Sequence, residues 1–293
     1  MTAPTRTAVP FFARKSVQET LSRVAVQTVI VALAVVLFIP FGWMLSTALK
    51  PLEECFQYPP TWIPRPALWE NFFIAWTWLP FTRYLINTLY LAGVGIVGAV
   101  FSSALVAYGF ARYRAPGRDL LFLVLLSTMM LPEQVTLIPS FLLFKYLRWL
   151  NTYKPLLVPA FTGVPFFIFL LRQFYMTLPI ELDEAARIDG CGRLGILWRI
   201  ILPLSKPALA TVAIFVFFNR WNAFLLPLIY LKSSDKYPLA VGLSMLRGEN
   251  TGGLIYWNYL MAASILVAIP PLLVFFFAQR QFVQGIALTG LKG

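Results

Sequence analysis

Six long apolar runs, interrupted by only two charged residues, dominate this 293-residue chain. A helix needs about 20 mostly apolar residues to cross the hydrocarbon core of a bilayer. The runs predict spans at about residues 24–49, 84–111, 120–144, 155–171, 207–231 and 254–278. With 59% hydrophobic and 12% charged residues, the chain is also too apolar for an ordinary soluble domain. The sequence therefore predicts an all-α polytopic membrane protein with six transmembrane helices.

The distribution of basic residues predicts the orientation of these spans. An even number of crossings puts the N-terminal segment 1–23 and the tail 281–293 on the same side of the spanning domain 24–280. Loops on that side carry 14 of the 24 Lys and Arg residues, against 9 in the opposite loops. Since cytoplasmic loops are enriched in Lys and Arg, both termini are predicted to be cytoplasmic. The first run starts too late and is too long for a signal peptide.

Composition also excludes several classes of function. The net charge of +12 suits basic flanks of membrane spans better than a nucleic-acid surface, for which so apolar a chain has little room. The chain has no histidine, which removes Ser–His and Cys–His catalysis and most zinc sites. Cys55 and Cys191 are too far apart to form a metal or redox motif.

The glycines of the second predicted span match the spacing of a dinucleotide fingerprint, Gly93-x-Gly95-x-x-Gly98. That fingerprint binds pyrophosphate at a helix N-terminus directly after a strand, whereas here the glycines lie in the middle of a span. We interpret Gly95 with Ala99, or Gly98 with Ser102, as small residues four apart that let a neighbouring helix approach closely. The chain also has no P-loop sequence, so any ATP that drives it is hydrolysed by another chain.

The predicted outer segment 51–83 contains six prolines interleaved with tryptophan, tyrosine and phenylalanine. So many prolines exclude a single regular helix. The segment is either an aromatic belt at the outer interface or a surface that also contacts an external partner.

The loop 177–206, between the fourth and fifth predicted spans, has an unusual charge. Four of the 12 acidic residues of the chain fall within nine positions: Glu181, Asp183, Glu184 and Asp189. Pro179 suits the start of a helix, acids are favoured in its first turns, and Gly190 suits its end. A loop made to bind anionic lipid would avoid such acids. It is either an ordinary interfacial helix–turn–helix or a docking element for a soluble cytoplasmic protein.

The same loop resembles a known family. Glu184-Ala185-Ala186, then Gly190, then Leu202-Pro203 resemble the EAA loop of the permease subunits of bacterial binding-protein-dependent ABC importers. Residues 221–229 and 281–285 are similar to the carbohydrate-uptake branch, specifically its second, maltose-permease-like subunit. Cys191 stands where the family usually has alanine.

This resemblance implies a transport subunit of the bacterial cytoplasmic membrane that is not itself an enzyme. Its partners would be a second permease subunit, two cytoplasmic ATPase subunits, an external solute-binding protein, a sugar substrate and membrane lipid, with no nucleic acid. The chain itself would bind no cofactor or metal, and ATP and Mg would be bound by the ATPase subunits. The ATPase would dock on the EAA loop 177–206 at Glu184, Ala185, Ala186, Asp189, Gly190, Leu202 and Pro203.

Two charged residues inside predicted spans suggest a translocation pathway. Glu133 and Arg220 each lie 14 residues from the cytoplasmic flank of their span, about 20 Å up a helix. An ionisable residue at that depth usually faces a partner or a watery cavity. Pro132 can bend the third span there. The predicted pathway residues are Glu133, Asn219, Arg220, Trp221 and Asn222. Alternatively, both charges lie at the outer mouth or pair with the second permease subunit.

Three other functions are weighed against sugar import. Import of a related solute such as glycerol phosphate fits the same residues. A secondary transporter working alone would need internal repeats and several acids within the spans, and the sequence offers one such acid and no convincing repeat. A membrane-embedded enzyme would need a catalytic constellation, which the sequence does not provide.

Overall fold

The computed structural model describes residues 15–247 and 255–290, with side chains described for 19–247 and 255–279. Most of the predicted N-terminal segment, the first residue of the predicted sixth span and the last three residues lie outside the described residues. The described chain is helical: α1 Lys15–Ala48, α2 Glu70–Trp78, α3 Phe81–Arg112, α4 Arg118–Ser127, α5 Glu133–Tyr146, α6 Lys154–Leu157, α7 Pro165–Thr177, α8 Glu181–Ile188, α9 Arg193–Ile196, α10 Leu202–Leu204, α11 Lys206–Trp221, α12 Leu225–Tyr230, α13 Leu239–Met245 and α14 Trp257–Gly290. Short 3₁₀ segments cover Glu53–Phe56, Thr128–Met130, Val158–Thr162 and Ser234–Lys236. A π-helical turn covers Leu197–Ile201.

Six predicted spans correspond to four long apolar helical stretches and two bent helix pairs. The four long stretches in the described residues are 19–48, 81–112, 154–177 and 257–279. The third predicted span is bent by 96° between residues 118–130 and 133–146. Pro132 explains the position of this bend because a proline removes a backbone donor and disfavours helix in the residue before it. The chain therefore fits a six-span layout, although the third span is not one straight helix as 120–144 predicts.

The fifth predicted span, 207–231, is also interrupted. Its main helix α11 ends at Trp221, and α12 begins only at Leu225. At its other end, α11 meets the 193–204 segment at an angle of 79°. The π-helical turn in that segment is a local widening of the helix, of the kind often found at functional positions.

Helix α3 is the central helix of the bundle and packs against α7 and α11. Its buried face consists largely of small residues, which allow close approach of neighbours. An added Cβ at Gly98 would lie 2.8 Å from the ring of Phe161, and Ser102 donates a hydrogen bond of 3.0 Å to the carbonyl of Ala160. Close packing is therefore seen at Gly95 and Gly98, whereas Gly93 is exposed and would meet no atom within 4 Å.

One end of the bundle, which we call the proline-rich end, is formed by residues 51–80 together with the loops 147–153 and 231–238. Lys50, buried at the end of α1, donates to the carbonyl of Thr61 and lies 4.4 Å from the ring centroid of Trp43. Asn71 donates to two backbone carbonyls at the end of α1. These bonds fold the irregular segment against α1, as expected for a chain with too many prolines for one helix.

The opposite end of the bundle, which we call the Asp183 end, carries the turn 113–117 and the EAA loop. Its core includes Tyr108, Leu171, Tyr175, Ile196 and Ile201, which are buried between α3, α7 and the 193–204 segment. Helix α3 links the two ends, because Asn87 bonds to the carbonyl of Asp235 at one end and Arg112 contacts Asp183 at the other.

Candidate functional site

Helix α8, the first helix of the EAA loop, has a narrow buried face and a broad exposed one. Asp183 and Ala186 are its buried residues. Of the predicted docking residues, Glu184, Ala185, Asp189, Gly190 and Pro203 are exposed, whereas Leu202 is partly buried. Ala186 is buried against the body of the protein, so it supports α8 from below and is not part of the exposed surface.

Gly190 ends α8 in the way that its sequence position predicts. Its φ of +80° is in the left-handed region that favours glycine. The backbone N–H groups of Asp189, Gly190 and Cys191 bond to carbonyls in the last turn of the helix, which satisfies that end. A side chain at position 190 would meet no atom within 4 Å, so only backbone strain opposes substitution.

The exposed face of the EAA loop carries apolar side chains that sequence analysis did not single out as contacts. Ile188 is 87% exposed, and Leu182 and Leu194 are also exposed. Large apolar side chains exposed on an otherwise charged loop are typical of a protein-binding surface. We call Leu182, Glu184, Ala185, Ile188 and Leu194 the docking face. No signal in the sequence alone singles out Ile188, because its exposure follows from the burial of Asp183 on the other side of the helix.

The buried side of α8 contacts the guanidinium of Arg112, which the sequence did not indicate as part of this site. Arg112, the last residue of α3, places its Nε 3.4 Å from Oδ2 of Asp183. Arg112 also donates from Nη2 to the carbonyl of Leu178, at 3.1 Å. In the sequence Arg112 is only a basic residue at the end of the second predicted span, because nothing in the local pattern pairs it with a residue 71 positions away.

A second polar group lies where the two broken spans meet α3. Glu133 is the first residue of α5, directly after the Pro132 bend, and Arg220 lies in the last turn of α11. The carboxylate of Glu133 interacts electrostatically with the Arg220 guanidinium and with the hydroxyl of Tyr230. Among the described residues, Glu133 and Arg220 do not approach within the 4.0 Å of an ion pair.

Gly95 of α3 makes room for this group. A Cβ added at Gly95 would lie 3.1 Å from Nε of Arg220, so the arginine side chain lies directly on the helix backbone at that point. The middle glycine of the apparent nucleotide fingerprint is thus the packing partner of a charged residue. We call Glu133, Arg220 and Tyr230, with Gly95 behind them, the charged group.

The asparagines and the tryptophan beside Arg220 have different environments. Asn219 and Asn222 are exposed, and Asn222 donates to the carbonyl of Phe218 within its own helix. Trp221 is only 2% exposed and donates from Nε1 to the carbonyl of Val267, at 3.2 Å. Trp221 therefore belongs to the core between α11 and α14. Its ring packs against α14, on a different side of α11 from Arg220, because adjacent helix residues point about 100° apart.

An apolar groove of about 460 Å³ lies between α3, the 193–204 segment and α11, and its lining includes no residue of the docking face or of the charged group. Its lining residues include Val97, Phe101, Leu105, Trp198 and Ala213. A sugar site needs convergent hydrogen-bonding groups, so this groove does not have the chemistry of one.

Comparison with known proteins identifies the family. Residues 95–288 match the family described as "Binding-protein-dependent transport system inner membrane component". The chain belongs to this family.

This inner membrane component is similar to the arabinooligosaccharides transport system permease protein AraQ of Bacillus subtilis (strain 168), with 31% identity over 96% of the chain and 99% of the relative. It is 37% identical to the AraQ protein of Halalkalibacterium halodurans over 74% of the chain and 75% of the relative. It is 38% identical to the sn-glycerol-3-phosphate transport system permease protein UgpE of Yersinia pestis bv. Antiqua, over 80% of the chain and 85% of the relative.

Solved structures support the fold of this inner membrane component. A bacterial ABC transporter involved in the import of the acidic polysaccharide alginate matches with a TM-score of 0.79 and 23% identity, over 93% of this chain and 99% of that one. A second match has a TM-score of 0.63 and 16% identity, over 89% of this chain and 94% of that one. It is a bacterial alginate ABC transporter in complex with a periplasmic protein bound to alginate pentasaccharide. The predicted fold class, an all-α polytopic membrane protein of the ABC permease kind, is confirmed.

Proposed function

We propose that this chain is one of two permease subunits of an ABC importer that carries a sugar or oligosaccharide into the cell by alternating access. The observation that carries the proposal is the docking face, an exposed apolar and acidic surface on a loop whose other side is anchored in the bundle. Such a surface suits a soluble partner, and the resemblance to ABC importer permeases makes an ATPase the expected one. ATP and Mg would be bound by two ATPase subunits, and an external solute-binding protein would deliver the substrate.

The charged group is the proposed part of the pathway in this subunit. Glu133, Arg220 and Tyr230 combine a carboxylate, a guanidinium and a phenol near the breaks in the two spans. Glu133 is exposed and Arg220 is half-buried, whereas Tyr230 is buried. The exposed amides of Asn219 and Asn222 add hydrogen-bonding groups of the kind that hold sugar hydroxyls. Trp221 would support Arg220 from the core without touching substrate.

Glycerol phosphate remains the second candidate substrate. The relative UgpE is named for sn-glycerol 3-phosphate, and Arg220 supplies a cation that could bind a phosphate. Arabinotriose and glycerol 3-phosphate therefore make a discriminating pair of test substrates.

The proposed function is tested by purifying the tagged chain from its native host in mild detergent and identifying co-purifying chains by mass spectrometry. The expected result is a complex with a second permease, an ATPase at twice the amount of each permease, and binding-protein-dependent ATP hydrolysis. Stimulation by binding protein loaded with arabinotriose supports a sugar importer, and stimulation with glycerol 3-phosphate alone supports the alternative. Purification of the intact chain without an ATPase would contradict the proposal.

The two cysteines test the proposed orientation, with both termini in the cytoplasm. Cys55 belongs to the proline-rich end and Cys191 to the Asp183 end, so a membrane-impermeant maleimide added to intact spheroplasts should label Cys55 and leave Cys191 unlabelled. Burial raises the pKa of the Cys55 thiol, although Lys50 opposes this shift. The reactive thiolate is therefore scarce at neutral pH, and one unit of higher pH should speed labelling of Cys55 about tenfold.

Permeabilised cells provide the control for this labelling. Cys191 should become reactive once the reagent can enter, and a Cys55→Ser variant should then carry the label at Cys191 alone. If intact spheroplasts are labelled at Cys191 and not at Cys55, the orientation is the reverse of the one proposed.

A further inference from the structure

The C-terminal end of α3 contacts the EAA loop through a buried ion pair. The Arg112 and Asp183 side chains are 5% and 0% exposed, with Nε and Oδ2 separated by 3.4 Å. Neither carboxylate oxygen of Asp183 has a hydrogen-bond partner in the described part of the chain. Arg112 is thus the counter-charge on which the buried carboxylate depends.

The same end of α3 also holds the second half of the loop. The hydroxyl of Tyr108 donates to the carbonyl of Arg193, at 3.1 Å, and accepts a hydrogen bond from the hydroxyl of Tyr113. The guanidinium of Arg193 lies 5.0 Å from the ring centroid of Tyr113. Both α8 and α9 are therefore attached to the last turn of α3 and to the residue after it.

The buried pair is the contact among these that is most costly to break by removing one partner. A charge removed from water must keep its counter-charge, because leaving it alone in the interior is strongly unfavourable. An exposed pair has no such requirement, since water solvates either partner. Arg118–Asp119 in α4 is a pair open to water on the side of Asp119, with side chains 28% and 79% exposed. Asp183 and Arg112 are therefore expected to stay together when the loop moves, and Arg118 and Asp119 are free to separate.

Helix α3 can carry a displacement from this pair to the charged group. It is a continuous helix of 32 residues without proline, unlike the two broken spans beside it. Gly95, near its middle, is the residue on which the Arg220 side chain lies. One rigid element thus contacts the EAA loop at its end and the charged group halfway along.

We propose that the Arg112–Asp183 ion pair ties α3 to the EAA loop, so that movement of the loop by the ATPase becomes movement of α3 against Arg220. Asp183 is then a positioning residue that does not touch the ATPase itself. This inference rests on the proposed function, because it requires an ATPase on the docking face. It separates the acids of α8 into two roles, with Glu184 on the exposed side and Asp183 on the anchored side.

The test uses the purified importer with its second permease, ATPase and binding protein, reconstituted in lipid nanodiscs. The Asp183→Asn variant keeps the size of the side chain and removes its charge. We expect the ATPase to remain bound and basal hydrolysis to stay near the wild-type rate. The stimulation of hydrolysis by added binding protein should fall about fivefold or more, because that signal must cross the membrane through the permease. Asp119→Asn, which breaks the exposed pair, is the matched control and should leave stimulation unchanged.

Two further variants distinguish a mechanical connection through the ion pair from a general loss of protein stability. Asp183→Glu keeps the charge and should retain most of the stimulation. The reversed pair, Arg112→Asp with Asp183→Arg, should recover stimulation that Arg112→Asp alone removes. If Asp183→Asn fails to accumulate, this reversed pair decides the question.

Three results would overturn the inference. The first is normal stimulation of hydrolysis in Asp183→Asn. The second is that Asp183→Asn loses the ATPase from part of the complexes while those that keep it are stimulated normally, and the third is a reversed pair that assembles but does not recover stimulation. In each of them the wild-type complex still responds to binding protein, so the proposed function survives. A wild-type complex that never responds would instead contradict the proposed function.

Discussion

Replacing Ile188 by aspartate should remove the ATPase from the purified complex while leaving the permease folded. Ile188 is 87% exposed, so its substitution disturbs no internal packing. In a docked complex the same side chain would be buried, and the aspartate would lose its hydration without gaining a partner. Central apolar anchors of protein interfaces typically contribute about 2 kcal/mol or more, so the affinity for the ATPase should fall roughly 30-fold or more. The measurement is the amount of ATPase that co-purifies with the tagged permease.

The matched control for this prediction is Ile63→Asp. Ile63 is the same residue type and is 71% exposed, but it lies at the proline-rich end, far from the EAA loop. It should retain the full amount of ATPase. Glu184→Lys should act in the same direction as Ile188→Asp, because it reverses an exposed charge on the same docking face. Full ATPase recovery with both Ile188→Asp and Glu184→Lys would show that the docking face is elsewhere.

The separate roles of neighbouring residues explain where sequence reasoning stopped. Asp183 and Glu184 are adjacent acids, and Ala185 and Ala186 are adjacent alanines, yet one member of each pair is buried and the other exposed. Two adjacent residues of one type look equivalent in the sequence. In a helix, however, their side chains point about 100° apart, so they face different surroundings. Which side of α8 faces the bundle depends on Arg112, and no local pattern in the sequence indicates that contact.

The spans were predictable because long apolar runs have few alternatives to membrane helices. The helix stop at Gly190 was predictable because few residues adopt a positive φ. The 96° bend after Met130 was predictable in place, from Pro132, but not in size. The size depends on packing between helices, which a single span does not encode.

The burial of Trp221 was not predictable from its neighbours. Aromatic and amide side chains around an intramembrane arginine suggest a sugar site, yet the indole bonds to α14 and lies in the core. Its neighbour Arg220 points instead to Gly95, whose role the glycine spacing indicated only as close packing. The residue types therefore indicated a polar site near Arg220, whereas the direction in which each side chain points is known only from the structure.

Removing the charge from either Glu133 or Arg220 should sharply reduce substrate uptake without preventing assembly. The Glu133 carboxylate interacts electrostatically with the Arg220 guanidinium near the breaks in the third and fifth spans, although in the described residues the two groups are not within ion-pair distance. Residues coupled in this way typically share roughly 0.5–3 kcal/mol, so Glu133→Gln and Arg220→Gln should each lower uptake by about tenfold or more. The measurement is uptake of arabinotriose and of glycerol 3-phosphate into proteoliposomes, compared at equal amounts of assembled complex.

The double variant shows whether the two charges act as one unit. If they do, Glu133→Gln with Arg220→Gln should lower uptake no more than the worse single variant, because each single change already leaves one charge uncompensated. Glu53→Gln and Arg114→Gln are matched controls, since both side chains are exposed and lie outside the spanning helices. A larger loss for glycerol 3-phosphate than for arabinotriose in Arg220→Gln would assign the guanidinium to an anionic substrate group. Unchanged uptake of both substrates in both single variants, with normal assembly, would leave the charged group outside the pathway and make it a structural contact between α5, α11 and α3.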